Sequence, residues 1–265
     1  NQLRYYIYIR MTTLGVGGFG RAKKVNWHGR EAVVKYININ QDPSATFATC
    51  TINRDMAKEE GRIMSLFKNR DSIAEIYAVD GHAIYMKYYP DGSLRSQLDQ
   101  DNVYEDRYFM LDDIIAGLSQ IHGLNFVHSD LKASNILCET HERIRCLITD
   151  FGAARKKGST PIAYTDGFVP PDFFKKPLCF EDDIYSLGKL CIELFTGIGD
   201  ITGINYNNFN NKVNPSDFTN NKNAKNETEH YKFDLMDLVH ECLNPDSSQR
   251  PSLKDFYNFV SSYSG

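Results

Sequence analysis

No stretch of this chain stays apolar for the roughly 18 residues that a membrane-spanning helix needs. Nothing near its start is laid out like a signal peptide. A membrane span and a secretory leader are therefore not expected. The sequence also lacks an excess of either charge: its net charge is −4 over 265 residues. As a whole it is no electrostatic magnet for nucleic acid or anionic lipid. The six cysteines, at 50, 138, 146, 179, 191 and 242, form no CxxC pair, and most lie beside apolar residues, as in Leu190-Cys191-Ile192. They read as buried reduced thiols of a cytoplasmic chain. There are no internal repeats. The first residue is Asn1 and not Met, so a native N-terminus further upstream is expected.

What is present suits a globular fold. Apolar residues make up 42% and charged residues 24%, enough for one large domain or two lobes. The first third reads as strands: 3–13, then 22–27 and 31–37 flanking a turn at His28-Gly29. Residues 38–50 are polar, contain Pro43 and read as loop. A helix over roughly 51–68 places Ile52, Met56, Ile63, Met64 and Phe67 on one face. Short strands follow near 73–79 and 82–88, and Tyr89-Pro90-Asp91-Gly92 is a break.

Beyond the break the period becomes helical. The stripes are Leu111, Ile114, Ile115, Leu118, Ile121; Ile184, Leu187, Cys191, Leu194, Phe195; Leu235, Leu238, Val239, Cys242; and Leu253, Phe256, Tyr257, Val260. A small β-rich lobe therefore precedes a larger helical one in an α+β architecture. Residues 204–228 are dense in asparagine and read as a polar surface insertion.

Certain residues carry chemistry. His128-Ser129-Asp130-Leu131-Lys132-Ala133-Ser134-Asn135 puts a carboxylate and a lysine on one loop, with an amide five residues after the carboxylate. Asp150-Phe151-Gly152 follows fifteen residues after Asn135. This is equipment for moving a phosphoryl group from a metal-bound nucleotide to a hydroxyl. Gly15, Gly17, Gly18 and Gly20 fit G-x-G-x-x-G, here between two strands. Such glycines let backbone N–H groups approach phosphates, although a plain hairpin turn has the same look. Lys35 ends the apolar run Ala32-Val33-Val34 and needs an anionic partner if it points into a cleft. Glu60 lies inside the stripe of Met56, Ile63, Met64 and Phe67, where a carboxylate is otherwise out of place. The alternative is a surface lysine and a solvated glutamate.

In this order and at these spacings, the loop 15–20, Lys35, Glu60, 128–135 and 150–152 resemble the signature set of the eukaryotic-type protein kinases. Downstream, Asp183-Ile184-Tyr185-Ser186-Leu187-Gly188 resembles the start of that family's central helix. Pro170-Pro171-Asp172 sits where kinases have A-P-E, and 245–251 resembles the late segment whose arginine, here Arg250, pairs with that acid. The likeness runs from about residue 10 to 260.

It implies a bilobal kinase-like fold over 1–265, with an N-lobe about 1–87, a hinge about 87–92 and a C-lobe about 92–265. It implies ATP and Mg²⁺ as cofactors and a protein hydroxyl as acceptor. Asp130 would take or orient the hydroxyl proton, and Lys132 would neutralise charge on the moving phosphoryl. Asn135 and Asp150 would hold Mg²⁺. Lys35, held by Glu60, would bind the α/β-phosphates. The adenine pocket would use Met86, backbone groups of Lys87 and Tyr89, and Leu137 as floor. Ala22 and Val33 would form its roof. The family usually has these two side chains the other way round, a volume-conserving swap that argues for a retained pocket.

Three departures stand out. Ser129 replaces the arginine that in this family anchors a phosphorylated activation loop, so activity without phosphorylation at Ser159, Thr160 or Tyr164 is expected. Asp172 replaces a glutamate, and a pair with Arg250 stays open. Gly61 follows Glu60 inside a helix, costs about 1 kcal/mol of propensity, and suggests a regulatory partner that holds the helix. Lys132 and Thr165 resemble serine/threonine kinases. The alternatives are a small-molecule kinase of the aminoglycoside or choline type, and a catalytically inactive nucleotide-binding scaffold.

Overall fold

The structure, a computed structural model, describes residues 12–17, 20–37, 47–81, 83–99, 106–218 and 229–263. Most of the strand expected over 3–13, Gly18 of the glycine loop and the end of the Asn-rich stretch, 219–228, lie outside the described residues. The described residues up to Asn69, with Ala74–Tyr88, form one compact unit; Arg70–Ile73 and those from Tyr89 onward form a second.

The first unit contains β1 (Thr12–Gly17), β2 (Gly20–Trp27), β3 (Arg30–Ile37), α1 (Phe47–Leu66), β4 (Ile76–Asp80) and β5 (Ala83–Lys87). The strands make one antiparallel sheet in the order β1-β2-β3-β5-β4. His28 and Gly29 close the β2–β3 hairpin with φ of 50° and 84°. Positive φ at both positions of a two-residue loop matches the twist of the flanking strands, and Asn26 Oδ1 accepts the Gly29 N–H at 2.9 Å.

The period of two then sorts the faces. Val25, Ala32, Val34 and Ala83 are buried on one face beneath Trp27, Tyr36, Tyr77 and Tyr85. Opposite pairing puts Ala22, Val33, Lys35, Ile84 and Met86 on the other.

Helix α1 starts at Phe47, inside the stretch read as loop, because nothing between Pro43 and Gly61 breaks it. Ile63, Met64 and Phe67 are buried as expected. Gly61 has a packing reason. A Cβ there would lie 2.3 Å from Val79 Cγ2, so glycine is what lets α1 approach β4 this closely. That contact gives the glycine a packing role within the unit.

The second unit contains α2 (Leu94–Leu98), α3 (Arg107–Gly123), β6 (Phe126–Val127), β7 (Ile136–Thr140), β8 (Ile144–Ile148), β9 (Arg155–Lys156), α4 (Phe180–Thr196), α5 (Phe209–Lys212), α6 (Glu229–Cys242) and α7 (Leu253–Tyr263). Two small antiparallel pairs, β7–β8 and β6–β9, flank the segments that carry the chemistry. The stripe of α3 is buried along its length, and each such aliphatic side chain contributes about 1.5–3 kcal/mol. Of the α7 stripe, Phe256 and Val260 are buried but Tyr257 faces solvent. Among the described residues no helix is long and apolar enough to cross a membrane.

The Asn-rich stretch is not a solvated insertion over its first half. Ile204, Phe209, Val213 and Phe218 are all buried. Phe218 stacks on Phe195 of α4 at 5.7 Å, and Phe209 stacks on His240 of α6 at 5.0 Å. The asparagines supply turns, as where Asn208 Oδ1 accepts the Asn205 N–H at 2.8 Å, and the apolar residues between them anchor the segment.

Candidate active site

In the first unit, Lys35 Nζ donates to Glu60 Oε1 at 2.7 Å, and both side chains are largely buried. The expected ion pair is therefore formed. Met86 is buried on the same sheet face as Lys35, Ala22 and Val33. The Lys87 N–H is committed to Glu75 O at 2.9 Å. Gly17 and Gly20 pair across β1 and β2, so the glycine loop joins two strands, as the sequence suggested.

In the second unit the loop after β6 carries the reactive groups. Asp130 is buried, and its carboxylate collects donors from three residues. Thr165 Oγ1 donates to Oδ1 at 2.5 Å, Lys132 Nζ lies 3.2 Å from Oδ1 and 2.9 Å from Oδ2, and Asn135 Nδ2 reaches Oδ2 at 2.9 Å. Lys132 also donates to Thr165 Oγ1. Asn135 Nδ2 reaches Asp130 O at 2.8 Å as well. Its two amide hydrogens are thus spent, which leaves the hard oxygen Oδ1 as the group suited to a cation. Strand β8 ends one residue before Thr149, and Asp150 follows with φ 63°. Phe151, fully buried, meets the His128 ring edge-on at 5.2 Å. Leu137, on β7, bridges to Ser93, and Cys138 N donates to Gly92 O at 2.9 Å, so the turn that starts at Tyr89 is stitched to this strand.

The backbone of this loop is strained and anchored. Ser129 has φ 69°, a left-handed conformation that is uncommon for a residue with a side chain. Asp183, in the first turn of α4, holds it there: its Oδ2 accepts His128 N at 2.8 Å and its Oδ1 accepts Ser129 N at 2.9 Å. His122 Nε2 meets the same Oδ2 at 2.9 Å. Farther along α4, Glu193 Oε2 accepts Ala133 N at 3.2 Å and Oε1 faces Arg95 at 3.4 Å. Burial pushes the Glu193 pKa up, while the Ala133 N–H and Arg95 work against that rise. The Ser129 side chain is buried, and its Oγ has no hydrogen-bond partner among the described residues.

Arg250 does not pair with Asp172. Its guanidinium donates to Glu181 O at 2.8 Å and Asn244 O at 2.9 Å, and the nearest carboxylate is Asp182, at 3.9 Å. Asp182 is placed there as the capping residue of α4, accepting Cys179 N at 2.9 Å and binding Lys176. Asp172 Oδ1 is buried without a hydrogen-bond partner among the described residues.

The groups around Asp130 gather a carboxylate, an ammonium, an amide and a hydroxyl in one largely buried cluster on an α+β scaffold. The family model described as the protein kinase domain matches residues 8–259. The chain belongs to the protein kinase family.

A probable serine/threonine-protein kinase of Dictyostelium discoideum is 25% identical over 265 residues, covering 93% of this chain and 19% of the relative. The probable serine/threonine-protein kinase SIS8 of Arabidopsis thaliana is 26% identical over 264 residues, with 91% and 24% covered. Human serine/threonine-protein kinase A-Raf is 27% identical over 198 residues, with 69% and 31% covered. The matched region thus spans between 19% and 31% of the length of these relatives.

Proposed function

We propose that the chain is an ATP- and Mg²⁺-dependent protein serine/threonine kinase that works without phosphorylation of its activation segment. The observation that carries this reading is the Asp130 carboxylate bracketed by Lys132, Asn135 and Thr165. Oδ1 already accepts a hydroxyl proton donor, so the carboxylate is aligned to take the O–H of a substrate serine or threonine. Lys132, on the same carboxylate, offsets charge on the transferring phosphoryl group. Lys35, held by Glu60, takes the α/β-phosphates. Backbone groups of Lys87, other than its committed N–H, and of Tyr89, within a hinge at about 87–92, take the adenine edge. Asn135 and Asp150 would hold Mg²⁺, which neutralises phosphate charge when bound. Thr165 beside Lys132 supports the serine/threonine preference. Four buried free thiols, Cys138, Cys146, Cys191 and Cys242, suit a reducing compartment such as the cytosol.

The test is to incubate the purified chain with Mg-ATP and dephosphorylated casein and to map modified residues by mass spectrometry. Phosphoserine and phosphothreonine are expected. No transfer under varied conditions, or transfer only to small amines and alcohols, would sink the reading.

Independence from activation-segment phosphate rests on two further observations. Ser129 is buried and cannot reach a phosphate as an arginine would. The segment is also pinned without one: Gly158 N donates to Leu178 O at 2.8 Å and Leu178 N to Ser159 O at 2.9 Å. Phosphatase-treated and untreated enzyme should agree in kcat/KM within about twofold. A collapse of activity traced to lost phosphate at Ser159, Thr160 or Tyr164 would refute it.

A further inference from the structure

Helix α4 is apolar on its main face, yet besides the capping Asp182 four polar side chains on it are buried: Asp183, Ser186, Lys189 and Glu193. Their spacing of three, three and four residues lines them along one side of the helix. Each holds backbone outside the helix, two of them in the 128–135 loop. Asp183 takes the N–H groups of His128 and Ser129, and Glu193 takes Ala133 N. Ser186 Oγ donates to Phe168 O at 2.7 Å. Lys189 Nζ donates to Ile201 O at 2.9 Å and also to Ile204 O. A lysine at 1% exposure is costly, so what it holds calls for an explanation.

The turn it holds is seated on the segment that touches the reactive carboxylate. Gly167 has φ 78°, and a Cβ on it would lie 2.7 Å from Thr202 Cα, Cβ and Cγ2. Backbone of 201–204 therefore abuts Gly167 with no room for a side chain. From there the path is short: Phe168 N donates to Thr165 O at 3.2 Å, and Thr165 Oγ1 donates to Asp130 Oδ1. Burial lowers the Lys189 pKa to about 8, while Asp200 on the turn and Glu193 on its own helix pull it back up.

We infer that Lys189 is a positioning residue for the substrate polypeptide, bracing segment 165–168 from below through the 201–204 turn. Its role rests on the reading of Asp130 and Thr165 as the phosphoacceptor side. The two can fail separately, because one readout needs no catalysis.

The test compares the parent chain with Lys189→Met and, in case that variant does not fold, with Thr202→Gly, which removes the exposed part of the seat. In hydrogen–deuterium exchange the 201–204 turn and the Phe168 amide should both exchange faster in the variants, while 128–135, held by Asp183, stays as protected as before. In kinetics the KM for dephosphorylated casein should rise about tenfold, the change carried by losing one ordinary hydrogen-bonded placement. The KM for ATP should stay within about twofold. Unchanged Phe168 exchange in the variants overturns the inference, as does an equal rise in both KM values. A parent chain that transfers nothing sinks the proposed function instead, and the exchange comparison still decides Lys189.

Discussion

Asp130→Asn lowers kcat by a factor of about 10² to 10⁴, the range expected for removal of a positioned general base, and leaves the fold intact. The carboxylate accepts from Thr165 Oγ1, Lys132 Nζ and Asn135 Nδ2. An amide of the same shape offers one acceptor and two donors. With its NH₂ at Oδ2, it would point donors at the Lys132 ammonium and the Asn135 amide, which are donors themselves. With its NH₂ at Oδ1, it would still face Lys132, and the Thr165 hydroxyl would have to turn round. Either way one acceptor position faces a donor it cannot satisfy, and the negative charge that draws the substrate proton is lost.

The backbone is held by other groups, the Asp183 carboxylate at His128 and Ser129 and Glu193 at Ala133, so the melting temperature should move little. Steady-state kinetics on casein, with thermal melts alongside, check the split. Equal kcat for parent and variant would remove Asp130 from the chemistry. A KM for ATP that rises in step with the loss would point to nucleotide binding instead.

The fold was legible wherever one period dominated. The β2–β3 hairpin followed from two strand-like runs around His28-Gly29, and α3 from its apolar stripe. Lys35 and Glu60 could be matched because a carboxylate inside an apolar helical face needs a reason. The same logic applied to α4 would have flagged Ser186, Lys189 and Glu193, which stand among Leu187, Leu190 and Leu194. There the strong apolar stripe drew attention away from the polar residues beside it. The 204–218 segment was misread for the opposite cause, since its asparagine density hid the four side chains that bury it. The Arg250 partner was beyond reach of spacing alone. It depends on Asp182 being fixed as a helix cap and on Lys176 folding back onto it, which are relations in space.

Asp183→Asn should cost both stability and turnover, because one carboxylate serves two buried backbone N–H groups and His122. An amide oxygen can accept one of the two N–H groups, and its NH₂ then faces the other donor. Leaving a buried charged interaction half made costs about 3–5 kcal/mol. For a chain of this size that lowers the melting temperature by about 6–20 °C at about 2–4 °C per kcal/mol.

Turnover falls for a separate reason. The left-handed Ser129 costs about 1–2 kcal/mol that its backbone bond to Asp183 offsets. Once that bond weakens, the loop can relax to negative φ and carry Asp130 away from Lys132 and Thr165. kcat measured well below the variant's own melting temperature should still drop by at least about tenfold. Adding Ser129→Gly separates the two effects, since glycine adopts φ 69° without strain and the unpartnered Oγ is removed as well. The double variant should recover part of kcat while its His128 N–H remains poorly paired and its melting temperature stays low. Full activity in Asp183→Asn below its melting transition would show that the loop keeps its shape unaided. Recovery of stability without recovery of kcat in the double variant would show that strain at Ser129 is not what moves Asp130.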